Sequence, residues 1–102
     1  MTPETLDALL KSGDTPILLD VRSSMEYKSG HIPGAIHAPL SGVVASAESA
    51  TSDKKALMVL VCEHGPRAQM AKFFLKVRGY RNLDLLDGHM SRWRSANHQV
   101  QV

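Results

Sequence analysis

Cysteine occurs once in this chain, at Cys62. A single thiol excludes an intramolecular disulfide, a Cys-x-x-Cys redox pair and a multi-cysteine zinc site. Free thiols persist in reducing compartments, so the expectation is a cytoplasmic protein. The first residues hold no basic stretch leading into an apolar one, so no secretory leader is expected. The longest apolar run, Ala56 to Cys62, is far too short to cross a bilayer, and no membrane partner is expected. Charge of one sign is also scarce. The formal net charge is +2 with no run of Lys or Arg, which argues against a nucleic-acid partner. The five histidines, His31, His37, His64, His89 and His98, form no pair at ligand spacing on an expected helix, so no metal is expected. There is no internal repeat, low-complexity segment or evident linker. A length of 102 residues then points to one small domain, residues 1–102.

What is present is an ordinary folding composition, 43% hydrophobic and 22% charged. Thr2-Pro3-Glu4 reads as a helix start, with Thr2 as cap, Pro3 in the first position and Glu4 complementing the dipole. Leu6, Leu9 and Leu10 form its apolar stripe, and Ser12-Gly13-Asp14 ends it. Pro16 to Leu19 is a buried strand leading into Asp20-Val21-Arg22, and Ser23 or Ser24 caps a short helix through Tyr27. Ser29 to Ile36 reads as a turn and a brief strand. Leu40 to Ala50, rich in Ser and Ala, is expected as one helix packed loosely outside the sheet, and Thr51 to Lys55 as a loop. Ala56 to Val61 is a buried strand. Ala68 to Val77 has helical spacing, with Phe73, Phe74 and Leu75 expected in the core and Gly79 just beyond its end. Lys72, Lys76, Arg78 and Arg81 read as a solvated face that can also steer anionic donors or a protein partner. Leu83 to Leu86 is a strand. Asp87-Gly88-His89 then turns into a last helix carrying Met90, Trp93 and Arg94, and the tail from Asn97 carries no clear signal. Strands alternating with helices indicate an α/β fold, a parallel β-sheet of four to five strands flanked by helices on both faces.

Cys62-Glu63-His64-Gly65-Pro66-Arg67 lies between the central strand and its helix. Ligands of open α/β sheets bind at such carboxyl ends of strands. A helix N-terminus has unpartnered amides and partial positive charge, which favour a thiolate. A loop curled over Cys62 turns its N–H groups into an anion-binding nest. Gly65 permits a backbone turn that a Cβ resists. Pro66 fixes φ and removes one donor. Arg67 carries a permanent charge able to fork onto an oxyanion. These residues point to a nucleophilic cysteine at the bottom of a small anion-binding cup. The position of Cys62 alone is equally that of a small buried hydrophobe.

Three blocks resemble the rhodanese-type sulfurtransferase family. The first is Leu19-Asp20-Val21-Arg22 with Glu26-Tyr27 and Gly30-His31-Ile32-Pro33-Gly34-Ala35, similar to the Asp-Val-Arg and Gly-His-Ile-x-Gly-Ala signatures. The second is the loop from Cys62 to Arg67. The third, Leu86-Asp87-Gly88 with Trp93, resembles the Gly-Gly…Trp ending. The resemblance implies a rhodanese-like fold and a single-domain thiosulfate sulfurtransferase. In it, Cys62 takes sulfur from thiosulfate or a persulfide donor and passes it to cyanide, a thiol or a protein acceptor. It implies no metal or organic cofactor. It places Glu63, His64, Gly65, Pro66 and Arg67 around the substrate, and Asp20, Arg22, Glu26 and His31 in a supporting polar network.

Two positions depart from the pattern. Glu63 stands where many relatives carry a basic residue. A carboxylate there disfavours a neighbouring thiolate and repels an anionic donor such as thiosulfate, which points to a protein persulfide as an alternative donor. His89 stands at the second glycine of the last block, a matter for the local turn rather than the chemistry. Three other functions stay open. One is a sulfur carrier or redox-responsive interaction module. Another is a cysteine phosphatase or arsenate reductase, disfavoured because such phosphatases have one more residue between cysteine and arginine than the four found here. The last is a catalytically silent domain, against which Cys62 and Arg67 both speak.

Overall fold

The computed structural model describes residues 1–102. Helix α1 (Pro3–Ser12) begins as its first residues dictate: the Thr5 N–H donates to Thr2 Oγ1 at 3.0 Å, Pro3 opens the helix and Gly13 closes it. Strand β1 (Ile17–Asp20) leads to helix α2 (Ser24–Ser29). Ser23 caps α2 through a reciprocal pair: Glu26 N–H donates to Ser23 Oγ at 3.3 Å, and Ser23 N–H donates to Glu26 Oε1 at 3.0 Å. Strand β2 (Ile36–His37), helix α3 (Val43–Ala50), strand β3 (Met58–Val61), helix α4 (Pro66–Val77), strand β4 (Leu83–Leu85) and helix α5 (His89–Ser95) follow.

The four strands are parallel in the order β2-β1-β3-β4, and each strand is joined to the next in the chain by a crossover. All four residues of β3 are buried, as in a strand covered on both faces. Its period of two divides them. Met58 and Leu60 join Leu19 and Cys62 in one core, against Val43 and Ala47 of α3 and Ala68, Ala71 and Leu75 of α4. Val59 and Val61 join Leu18 in the other, against Leu6 of α1 and Met90 and Trp93 of α5. Helices thus cover both faces, as the alternating pattern indicated.

The chain leaves β1 toward β2 and leaves β3 in the opposite direction, toward β4. The order therefore reverses between β1 and β3, and a crevice forms outside their carboxyl ends. Register sets what meets there. Asp20 lies opposite Val61, and the Val21 N–H donates to Val61 O at 2.9 Å. Asp20-Val21-Arg22 consequently runs out of the sheet alongside Cys62-Glu63.

The structure corrects two expectations. Leu40 to Ala50 is not one loose helix. A 3-10 turn over Leu40–Gly42 precedes α3, whose Val43 and Ala47 have 1% and 0% of their surface exposed. Of the three residues Phe73, Phe74 and Leu75, only Leu75 is in the core; Phe73 is 64% and Phe74 38% exposed. The core face of α4 is instead made of the small residues Ala68 and Ala71 with Leu75, which lets the helix approach the sheet closely. The tail also has structure. His31 and Gln101 exchange backbone hydrogen bonds at 2.9 and 2.8 Å, and Trp93 Nε1 donates to Gln99 O at 2.9 Å.

The seating of α3 makes a specific prediction. Ala47→Leu inserts three carbons where no space exists and should cost about 1–3 kcal/mol in urea unfolding. A helix lying loosely on the surface would accept the same change without loss.

Candidate active site

Cys62 is the first residue after β3, and none of its surface is exposed. The loop that follows folds back over the sulfur, and the Gly65 N–H donates to Cys62 Sγ at 2.9 Å. Gly65 manages this with φ 128° and ψ −40°, a backbone state that a Cβ would strain. Pro66 then opens α4 without an N–H to satisfy. The amides of Glu63, His64, Arg67 and Ala68 donate to no other group of the protein. Unpartnered amides at the start of a twelve-residue helix, with the helix dipole behind them, suit a negative charge.

The side chains around this loop are largely occupied with one another. Arg67 lies in a bidentate pair with Glu26, Nη1 to Oε1 at 2.6 Å and Nη2 to Oε2 at 2.9 Å. Each terminal nitrogen of Arg67 thereby gives one N–H to Glu26, so the fork expected to meet an oxyanion is turned to a carboxylate instead. The Arg67 hydrogen bond, with further help from Ser23, lowers the Glu26 pKa from 4.5 to about 2. The same hydrogen bond raises the Arg67 pKa, and negative charge at Glu26 and at Cys62 adds to it.

Glu63 is held between two arginines, Arg22 Nη1 at 3.5 Å and Arg94 Nη2 in a direct hydrogen bond. Its charge is compensated, which blunts the repulsion of an anionic donor expected from the sequence. Arg22 is itself buried, 2% exposed. Its Nε and Nη2 bind Asp20, with Nη2 to Oδ2 at 2.8 Å, and Nη2 also donates to Gly30 O at 2.8 Å. Burial alone would lower the Arg22 pKa, but the hydrogen bonds and charge of Asp20, with Glu63 and Glu26 behind them, raise it. Asp20 and Arg22 thus brace the turn at Gly30 against the cysteine loop. A cleft of ≈ 310 Å³ bounded by Arg22, Glu26, Gly30, Glu63, Arg94 and Val100 opens beside it.

The remaining positions divide. His64 is exposed on the loop. Glu26 enters the site through Arg67 rather than through Asp20 and Arg22. His31 stands outside the charged network: its ring stacks on Tyr27 at 3.8 Å, and its Nδ1–H donates to Tyr27 O at 2.8 Å. Three contributors went unread in the sequence. Arg94 neutralises Glu63, His37 Nε2–H donates to Arg22 O at 2.9 Å, and His89 Nδ1 accepts the Cys62 N–H at 3.2 Å. Each acts across a long stretch of chain, and no local spacing announces it.

Comparison with known proteins bears on the fold and the family. A family model described as rhodanese-like domain matches residues 2–96. The thiosulfate sulfurtransferase GlpE of Pseudomonas syringae pathovar syringae is 32% identical over 100 residues, covering 98% of this chain and 91% of that protein. A putative sulfur carrier protein, YrkF of Bacillus subtilis, is 29% identical over 90 residues, 88% of this chain and 48% of that one. Among solved structures, the Alr3790 protein of Anabaena superposes with a TM-score of 0.89 at 24% identity, covering 99% of this chain and 90% of that one.

The pair at the mouth of the loop has a defined acid signature. A carboxylate with a lowered folded-state pKa stabilises the fold above its unfolded value and loses that contribution as pH falls through the folded one. For Glu26 the window runs from 4.5 down to about 2. Glu26→Gln, which keeps the α2 cap, should cost at most about 1 kcal/mol near neutral pH because the pair is partly exposed and screened. The difference from wild type should close across that window in a pH series of urea melts.

Proposed function

This chain belongs to the rhodanese-like domain family, and from that premise we propose that it transfers sulfane sulfur through a persulfide on Cys62. One observation carries the reading: a sulfur at the carboxyl end of β3 that already accepts the Gly65 N–H at 2.9 Å, in a loop whose neighbouring amides have no acceptor in the protein. That environment suits an anionic sulfur both before and after loading. In the first step the Cys62 thiolate attacks the outer sulfur of thiosulfate. A new S–S bond forms, the S–S bond of thiosulfate breaks, and sulfite leaves with the electron pair. In the second step cyanide or a thiolate attacks the terminal sulfur of the persulfide, takes it as thiocyanate or a new persulfide, and returns the Cys62 thiolate. Both steps balance without an external oxidant, metal or organic cofactor.

In this reading Gly65 and the amides of the loop bind the transferred sulfur, and Pro66 sets the start of the helix behind them. Arg67 supplies charge at a distance, Glu26 holds Arg67, and Asp20 and Arg22 keep the loop seated. Glu63 and His64 face the approach of the donor, which is thiosulfate or a persulfide, and of the acceptor, which is cyanide, a thiol or a protein thiol. A phosphatase reading is disfavoured by the short loop and by Glu26, which occupies the guanidinium that a phosphate would need. A second reading, a sulfur carrier that is loaded but turns over slowly, is favoured by the full burial of Cys62 and by the likeness to the putative sulfur carrier of Bacillus subtilis.

Intact mass after incubation with thiosulfate, before and after cyanide, tests the proposal. The wild type should gain one sulfur atom, lose it to cyanide and release thiocyanate, and Cys62→Ser should gain none. Loading without rapid release would select the carrier reading. A reduced thiol that gains no sulfur from thiosulfate, from glutathione persulfide or from a protein persulfide would overturn sulfur transfer altogether.

A further inference from the structure

His89 occupies a backbone state uncommon for residues other than glycine. Its φ is 52°, in the left-handed region, directly after Gly88 at φ 71°. A histidine held there carries a strain that glycine would not, and such strain persists only where the surroundings impose it. The residue is 6% exposed, so its imidazole is packed into the protein rather than left in solvent.

What it packs against is the cysteine loop. His89 Nδ1 accepts the Cys62 N–H at 3.2 Å. The other edge of the ring lies under Gly65: a Cβ on that glycine would come 3.4 Å from His89 Nε2 and 3.5 Å from Cδ2. One ring therefore spans the two residues whose own contact, Gly65 N–H to Cys62 Sγ, closes the loop. The next two residues of α5 complete the hold. Met90 N–H donates to Cys62 O at 3.0 Å, and Ser91 N–H donates to Glu63 O at 3.2 Å. Three successive residues of α5 thus grip both backbone groups of Cys62 and the carbonyl of Glu63. Of these three contacts, only the one from His89 depends on a side chain.

We propose that His89 is a positioning residue for the reaction, a template beneath the loop that sets the direction of the Cys62 backbone and the seat of Gly65. The bond requires a neutral ring with its proton on Nε2, because a protonated Nδ1 would face the amide as a second donor. Burial lowers the His89 pKa below 6.5, opposed by Asp87 and reinforced by His64, so the neutral form prevails at pH 7. The inference rests on the sulfur-transfer reading for its consequence in rate, but the contact itself can be tested without it.

Two substitutions separate the template from mere space-filling. His89→Gly fits the backbone and removes the acceptor. His89→Asn tolerates the same backbone and places an amide oxygen near the position of Nδ1. Loading by thiosulfate should slow about tenfold or more at saturating donor in His89→Gly, with KM changed less than about threefold, while His89→Asn stays within about threefold of wild type. Amide hydrogen exchange supplies the independent reading: the Cys62 N–H should lose protection in His89→Gly and keep it in His89→Asn. If His89→Gly does not fold, His89→Ser, too short to reach the amide, carries the same comparison. A His89→Gly or His89→Ser protein with wild-type loading, or with an equally protected Cys62 amide, overturns the proposal. If the wild type takes up no sulfur from any donor, the sulfur-transfer reading falls, and the exchange comparison still decides whether His89 holds the loop.

Discussion

Everything at the carboxyl edge of the sheet depends on a buried guanidinium. Arg22 leaves water almost completely, and a charge can do so only when its partners come with it. Asp20 supplies the opposite charge from within β1, Gly30 supplies a carbonyl from the turn after α2, and Glu63 supplies a carboxylate from the cysteine loop. Three segments distant in sequence are held in one geometry because each satisfies part of the same group. Loss of Asp20 would leave the buried Arg22 with only the 3.5 Å contact to Glu63 to offset its charge, a damaging way to break such a pair. The parallel register between β1 and β3 is what brings Arg22 level with Glu63, so sheet pairing and charge pairing specify the same arrangement.

Charge near the nucleophile is consequently spent before any substrate arrives. Glu26 holds Arg67, and Arg22 and Arg94 hold Glu63. What remains to touch an anionic sulfur directly is a set of backbone dipoles, fixed in direction by Gly65, Pro66 and the first turn of α4. Dipoles already oriented need no rearrangement when negative charge moves from one sulfur to another, which suits a reaction that starts and ends with an anion in the same place.

Local signals in the sequence were read well and distant ones poorly. Thr2 and Pro3 start α1, a serine at 23 or 24 starts α2 (Ser23 in the structure), and Ala56 to Val77 reads as strand, loop and helix, because each depends on residues within a turn or two. The α/β class follows from the alternation of such elements. Leu40 to Ala50 is hard to read because a run of Ser and Ala gives little contrast between faces; Val43 and Ala47, one helical turn apart, are its anchors. Phe73 was misjudged because α4 is apolar on opposite sides. Ala68, Ala71 and Leu75 face the sheet while Met70, Phe73 and Val77 face solvent, and size alone favoured the wrong side. The pairings of Glu26 with Arg67, Glu63 with Arg94 and Cys62 with His89 span 41, 31 and 27 residues, beyond any periodicity.

The complete burial of Cys62 has a kinetic meaning. A reagent cannot touch a sulfur with no exposed surface, so every encounter waits for the loop to part, and the observed rate is the intrinsic rate multiplied by the fraction of time spent open. Each 1.4 kcal/mol or so by which the closed loop is preferred removes a factor of about ten from that fraction. Casual oxidants and electrophiles pay this factor in full. A molecule that binds the rim and draws the loop apart does not, so selectivity among reagents can reside in the opening of the Cys62–Arg67 loop rather than in the thiol.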